Sequence, residues 1–523
     1  MRRRLLRVVV VCLSAMVLGQ DGGCVLPQRI LLSPDAQTLY LSLNDEAGAG
    51  PDETSNLYAL QLETVELKAL TDTPGSKTCR ALSADGKQLV ALSGGWPTCS
   101  HLLEIEERTI LPLGDVTAGG ALPTLIPGGG GTLLMSPAMF GQDGTTWRLY
   151  DMYDGLITTV EVKPPLPSDA IERDDVPAVA PNRAALVLAL DVGEEPDGKD
   201  DDAPGHYGVY VITITPRHTV ITEKGAPGKP DETEDVPATA TARRVADFRL
   251  RANPMRRFHV AFSPDGRRLL VTLSVKEGEK EHADFYEVDP AGKAPPKRLF
   301  RDTDAAQPQW TPDGTGVVYL RDAAGDLPWV EVVLNRFGNA FAPAVLARFP
   351  RYKENSNTCF RWHHAGKRLT IAHQSDDGIR LVRADDRGKV LSSRWLSREK
   401  LRVLRHLADI ERPLDRAAVL GRRPLTGDLA KRFEGVRKAL AKLKAVDKEM
   451  DAVWETVNDY DPIRPAPLAT SIEDMPEKFR KLRLKTREEK RQELMADSRK
   501  LERENKALMR ELEELLKKDK KPK

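Results

Sequence analysis

Three observations predict a mainly β fold of repeated four-stranded units followed by a C-terminal helical region. A strand, turn, strand motif recurs along most of the chain. Its turns carry Pro, Asp and Gly at fixed places. Beyond about residue 397 the turn glycines thin out and Leu, Lys, Glu and Arg take over. Recurrence at a fixed grammar marks a repeat architecture.

The clearest copy is AFSPDGRRLLVTL from Ala261. Pro264 presets φ at the first corner, Asp265 bonds locally to backbone, and Gly266 reaches positive φ without a steric penalty. Phe258, Val260 and Phe262, then Leu269, Val271 and Leu273, alternate as half-buried strands do. Related stretches begin at Leu31, Ala81, Thr124, Ala178, Gln309 and Arg361. Apart from one long interval they stand about 50 residues apart, within reach of a four-stranded propeller blade. A unit with two apolar faces cannot bury them alone, and radial stacking buries both. The expectation is a β-propeller of seven four-stranded blades over residues 28–396, with Trp310 and Trp362 packed between blades.

Before the repeats, residues 1–23 read as a secretory signal. Arg2, Arg3, Arg4 and Arg7 precede the apolar run Val8–Leu18, which is too short for a comfortable membrane span. Gly22-Gly23-Cys24 resembles the end of a bacterial lipobox, which makes Cys24 the lipidation site, although Asp21 departs from that pattern. The rival is ordinary cleavage after Gly19. Either route predicts export, to the periplasm or to a membrane-anchored lipoprotein. Export permits disulfides. A Cys79–Cys99 bridge is one expectation, with Cys359 a buried free thiol. No CxxC occurs among the five cysteines, so zinc and thioredoxin-type chemistry lack support.

The full repeat is best seen from residue 258 to 314. After the hairpin come Asp284-Phe285-Tyr286-Glu287-Val288-Asp289, then Lys297-Arg298-Leu299-Phe300, then Pro308-Gln309-Trp310-Thr311-Pro312-Asp313-Gly314. The first unit repeats this as Asn56-Leu57-Tyr58-Ala59-Leu60 and Leu67–Thr71. This pattern resembles the WD-like propeller repeats of the TolB family. The resemblance implies four-stranded antiparallel blades around a central channel. The familiar TolB propeller is smaller by a blade than the seven units counted here.

Two loops, Asp191–Pro204 and Glu223–Thr241, read as solvated insertions on a propeller face. From 397 to 523 a helical, coiled-coil region is expected, ending in a basic tail. Leu429, Phe433, Val436, Leu440, Leu443, Asp447, Met450, Trp454 and Val457 step by four and three along one helix. Leu494, Leu501, Leu508 and Leu515 repeat every seven residues on a second, with Asn505 at the other core position. The helices either fold back on each other or pair between chains as a homodimer.

Catalytic signatures are missing from the sequence. It has no G-x-S-x-G, no phosphate loop and no HExxH. His363, His364 and His373 read as turn histidines. No catalytic, cofactor or metal residues are assigned, and no cofactor is expected. The formal net charge of +1 argues against a nucleic-acid partner. The functional expectation is a non-enzymatic exported propeller. It acts as an interaction or scaffold module with envelope protein partners, anchored to the membrane by lipid. The alternative is a propeller hydrolase or lyase, or a small-ligand or glycan sensor, with its site in the channel.

Overall fold

In a computed structural model, the described residues are 30–44, 55–71, 77–112 apart from 84 and 94–98, the strands between 123 and 250, most of 258–420, 428–455, and most of 489–514. Residues 1–23, which the sequence predicts to be a secretory signal, and Cys24 lie outside them.

The chain forms a mainly β ring, a β-propeller. Blade 1 is Ile30–Leu32, Thr38–Asn44, Ser55–Gln61 and Glu66–Ala69, paired in chain order. Blade 2 is Lys77–Leu82, Gln88–Ser93, Cys99–Glu104 and Thr109–Pro112. Blades 4, 5 and 6 repeat that order over Phe258–Thr303, Ala305–Pro350 and Asn357–Ser397.

Blade 3 corrects the expected count of seven. The units at 123–163 and 178–250 are one nine-stranded sheet, so the described residues form six blades. Val162 and Lys163 pair in parallel with Ala240 and Thr241. Pairing covers the last two residues of the open edge of strand Ile157–Lys163. It also buries Val160 and Val162 with Ile212, Ile214, Ala240 and Ala242. The long repeat interval contains a two-stranded hairpin, His218–Glu223 with Glu232–Val236.

Apolar layers join the blades around the ring. Tyr40, Leu57 and Ala59 meet Cys79, Leu89 and Leu103. Strands Lys77–Leu82 and Gln88–Ser93 touch Pro123–Ile126. Val187, Val209 and Phe248 of blade 3 pack on Leu269, Val271 and Leu273. Trp310, Tyr319 and Val333 pack on Leu270 and Phe285. Trp362 lies with Phe360 and Leu369 against Val318, Val332 and Phe349. The two tryptophans are therefore interblade residues, as the sequence predicts. Ala372, Ile379 and Leu381 of blade 6 meet Leu39, Leu41 and Tyr58 of blade 1, closing the ring. Among the described residues no strand is exchanged at this closure, and each of the two blades is built from one continuous segment.

Two helices follow, α1 (Arg398–Leu420) and α2 (Asp428–Glu455), and residues 496–501 and 503–511 are also helical. Ser397 caps α1, its Oγ accepting the Lys400 amide at 3.2 Å. Phe433, Val436, Leu440 and Leu443 of α2 pack with Leu494, Leu501 and Leu508 and with Val403, Leu407 and Ile410 of α1. The described part of both leucine seams is thus covered within one chain. Asn505 donates to the Ile410 carbonyl at 2.7 Å. The third layer, α1, is one the seam pattern did not include.

Candidate functional site

The turns between the first two strands of blades 1, 2, 4 and 5 share one construction. In each, the fourth residue donates its amide to the carbonyl of the first, at 2.8 to 2.9 Å. The first residue's hydroxyl is buried and works twice. Ser33 donates to Asp35 Oδ1 at 2.5 Å while accepting the Thr38 amide at 2.9 Å. Asp35 accepts the Gln37 amide at 3.0 Å. Ser83 with Asp85, Ser263 with Asp265, and Thr311 with Asp313 repeat this network. Gly86, Gly266 and Gly314 hold φ of 74°, 67° and 64° at the fourth position. Ala36 takes the same conformation, at 55°, without being glycine.

The hydroxyl is consumed inside and the carboxylate is presented outside. Asp35, Asp85, Asp265 and Asp313 are all exposed. Burial would raise the Asp313 carboxyl, but bonds from Thr311, Thr315 and Arg336 outweigh it and hold it well below the usual carboxylate range. Asp35 and Asp85 are lowered in the same way, against the burial effect, by their serine and a backbone amide. For Asp265 the Ser263 hydroxyl is the leading cause of the lowering. These side chains are ionised and fixed, a preorganised set of acceptors.

Arginine side chains lock this face together. Arg243 donates to the Pro290 carbonyl at 2.9 Å, joining blades 3 and 4. Arg268 donates to the Gly314 carbonyl at 2.9 Å, joining 4 and 5. Arg336 reaches the Asp386 carbonyl at 2.5 Å, joining 5 and 6, and also binds Asp313 at 2.7 Å. Arg361 donates to the Leu32 carbonyl at 3.0 Å, joining 6 and 1. Four successive junctions thus carry one guanidinium-to-carbonyl latch each. Sequence reasoning missed them because a backbone acceptor leaves no mark on the sequence.

Buried charge elsewhere is spent on packing. Asp284 accepts Arg301 at 2.7 and 3.0 Å. Glu331 accepts Arg321 at 2.8 Å and Arg348 at 2.6 Å, and Arg321 also binds Asp302 at 3.0 Å. Among the described residues, no group of three or more His, Cys, Asp or Glu is placed to hold a metal.

His373 corrects the turn-histidine expectation. It lies within strand Arg368–Ser375, 1 % exposed, stacked on Phe349 with centroids 4.4 Å apart and bonded to Thr358 at 2.8 Å. Burial, helped by the nearby Arg380 charge, pushes its imidazole down to about 3.

Cys79 and Cys359 behave as packing residues. Cys79 is a free thiol, so the Cys79–Cys99 bridge is not made. Strand Gln88–Ser93 runs between the strands that carry the two. Two strand spacings, roughly 10 Å, exceed disulfide reach. Burial pushes the Cys79 thiol up, and pushes Cys359, also free, up to about 12.

No protein-family model and no curated protein matches this chain. Among solved structures it is similar to TolB from Acinetobacter baumannii, at 13% identity and TM-score 0.35 over 68% of this chain. It spans 63% of that protein's length. A protein from Lactobacillus plantarum is similar at 14% identity and TM-score 0.40, covering 68% of this chain and 95% of the other. Two prolyl endopeptidases studied together give a similarity at 14% identity and TM-score 0.39, covering 70% of this chain and 48% of the matched one. The propeller architecture itself follows from the strand order and the ring closure described above.

Proposed function

We propose that this chain is a non-enzymatic interaction module of the bacterial cell envelope. In this reading it is exported, held at the membrane by lipid on Cys24, and presents its turn face to a protein partner. The observation that supports it is the set of exposed, ionised aspartates on hydrogen-bonded turns of blades 1, 2, 4 and 5, with arginine latches across the four junctions from blade 3 round to blade 1. A surface already fixed before binding loses little conformational freedom when a partner docks. Fixed acceptors on neighbouring blades select a partner with matching donors.

Photo-crosslinking in living cells tests the surface. A photoreactive residue replaces Lys87 or Arg267, both exposed on turns, or Lys297, exposed on an outer strand. The proposal predicts one discrete adduct from the two turn positions and none from position 297. Adducts from position 297 alone, or equal adducts from all three, would contradict it.

A further inference from the structure

We propose that α1 is the latch of the ring, and that the propeller opens between blade 6 and blade 1 whenever α1 is displaced. Three observations on separate residues carry this.

First, the closure shares no strand among the described residues, where side chains bridge it. Second, α1 leaves the last strand of blade 6 and crosses to the outer strands of blade 1. There Leu401, Leu404 and Ala408 pack with Leu60, Leu62, Val65 and Leu67, in the same layer as Ile379 and Leu396 of blade 6. Tyr58 Oη donates to Asp409 Oδ1 at 2.9 Å, tying the third strand of blade 1 to the helix. Third, the opposite side of α1 is fastened by charge. Lys400 Nζ lies 2.7 Å from Asp447 Oδ2, with side chains 1% and 7% exposed. Lys444 binds Glu411 at 2.7 Å.

One helix therefore has two seats. Its outer seat in α2 holds the inner seat on the ring. Replacing one partner of a buried ion pair leaves a charge uncompensated, whereas replacing both with apolar groups is tolerated. That asymmetry gives the test.

Hydrogen exchange followed by mass spectrometry is measured on the full chain. The reporting peptides are Thr38–Asn44 and Asn357–Trp362 at the closure, with Leu269–Glu277 and Gly316–Asp322 as internal references. Lys400→Met is expected to speed exchange at the closure at least about tenfold, with the references unchanged. Lys400→Met combined with Asp447→Leu is expected to restore protection. Tyr58→Phe, which leaves the helical layer intact, is expected to speed the same closure peptides about threefold and serves if the first variant does not fold. Closure peptides that stay protected while α1 and α2 lose protection would overturn the proposal. So would a uniform rise across all blades.

Discussion

Arg268 and Gly314 meet across the junction of blades 4 and 5, the guanidinium donating to the glycine carbonyl at 2.9 Å. The same guanidinium lies 4.6 Å over the Trp310 ring and binds Glu287 at 3.2 Å. Trp310 in turn donates its indole N–H to the Ala261 carbonyl at 3.2 Å. A Cβ on Gly314 would run into the Arg268 guanidinium, and its φ of 64° already favours glycine.

Arg268→Ala is therefore expected to lower stability by about 2 kcal/mol, summing a charged hydrogen bond and a cation–π contact. Arg268→Lys should recover less than half, since an ammonium lacks the planar fork. Urea unfolding of both variants against the parent checks this. Equal stability of all three would show that the latch contributes nothing.

Ala36 is the odd member of the turn set, at φ 55° where its counterparts are glycine. Ala36→Gly relieves left-handed strain but frees the unfolded chain and removes a buried methyl. The strain term is the larger, and a gain of about 0.5 kcal/mol is expected. Ala36→Val should cost more than about 1 kcal/mol, because branched residues fit that conformation worst.

His373 sets a pH dependence distinct from that of the carboxylates. Its folded value, pushed down to about 3, lies below the ordinary 6.5, so the fold favours the neutral ring. Its contribution is complete above about pH 6.5 and is lost as pH falls from there toward about 3. The slope approaches about 1.4 kcal/mol per pH unit within that window. His373→Phe should flatten the stability profile between about pH 6.5 and 5, where ordinary carboxylates are still ionised. An unchanged profile in that variant would contradict the assignment. The turn aspartates act at lower pH. With folded values depressed, their contribution is present above about 3.9 and is lost as pH falls further.

The parts of this molecule that were legible from sequence are those whose chemistry is local. Ser263, Pro264, Asp265 and Gly266 specify their turn within four residues, and Phe258 to Leu273 specify the strands beside it. Trp310 and Trp362 end first strands and bury where a blade must meet its neighbour. Contacts depending on ring geometry were not legible. Nothing about Arg361 points to the carbonyl of Leu32, more than three hundred positions away. Fusion of the third and fourth units depends on where Ala240 falls beside Val162. Helix α1 escaped for a different reason. Leu401, Leu404 and Ala408 face the ring while Val403, Leu407 and Ile410 face α2. The two stripes start two residues apart, roughly 200° around a helix, so no single amphipathic face stands out. Lys400, buried against Asp447 of the α2 seam, further disguises a core as a surface.

An envelope role requires this chain to work outside the cytoplasm. The most direct test is the intact mass of the mature protein, taken separately from membrane and soluble fractions of its native cells. A lipid-anchored envelope protein should yield a chain that begins at Cys24, carries added acyl mass and is recovered from the membrane fraction. A chain that retains Met1 and the arginine-rich segment, recovered from the cytosol, would contradict the envelope role. A soluble chain beginning at Gln20 would contradict the lipid anchor.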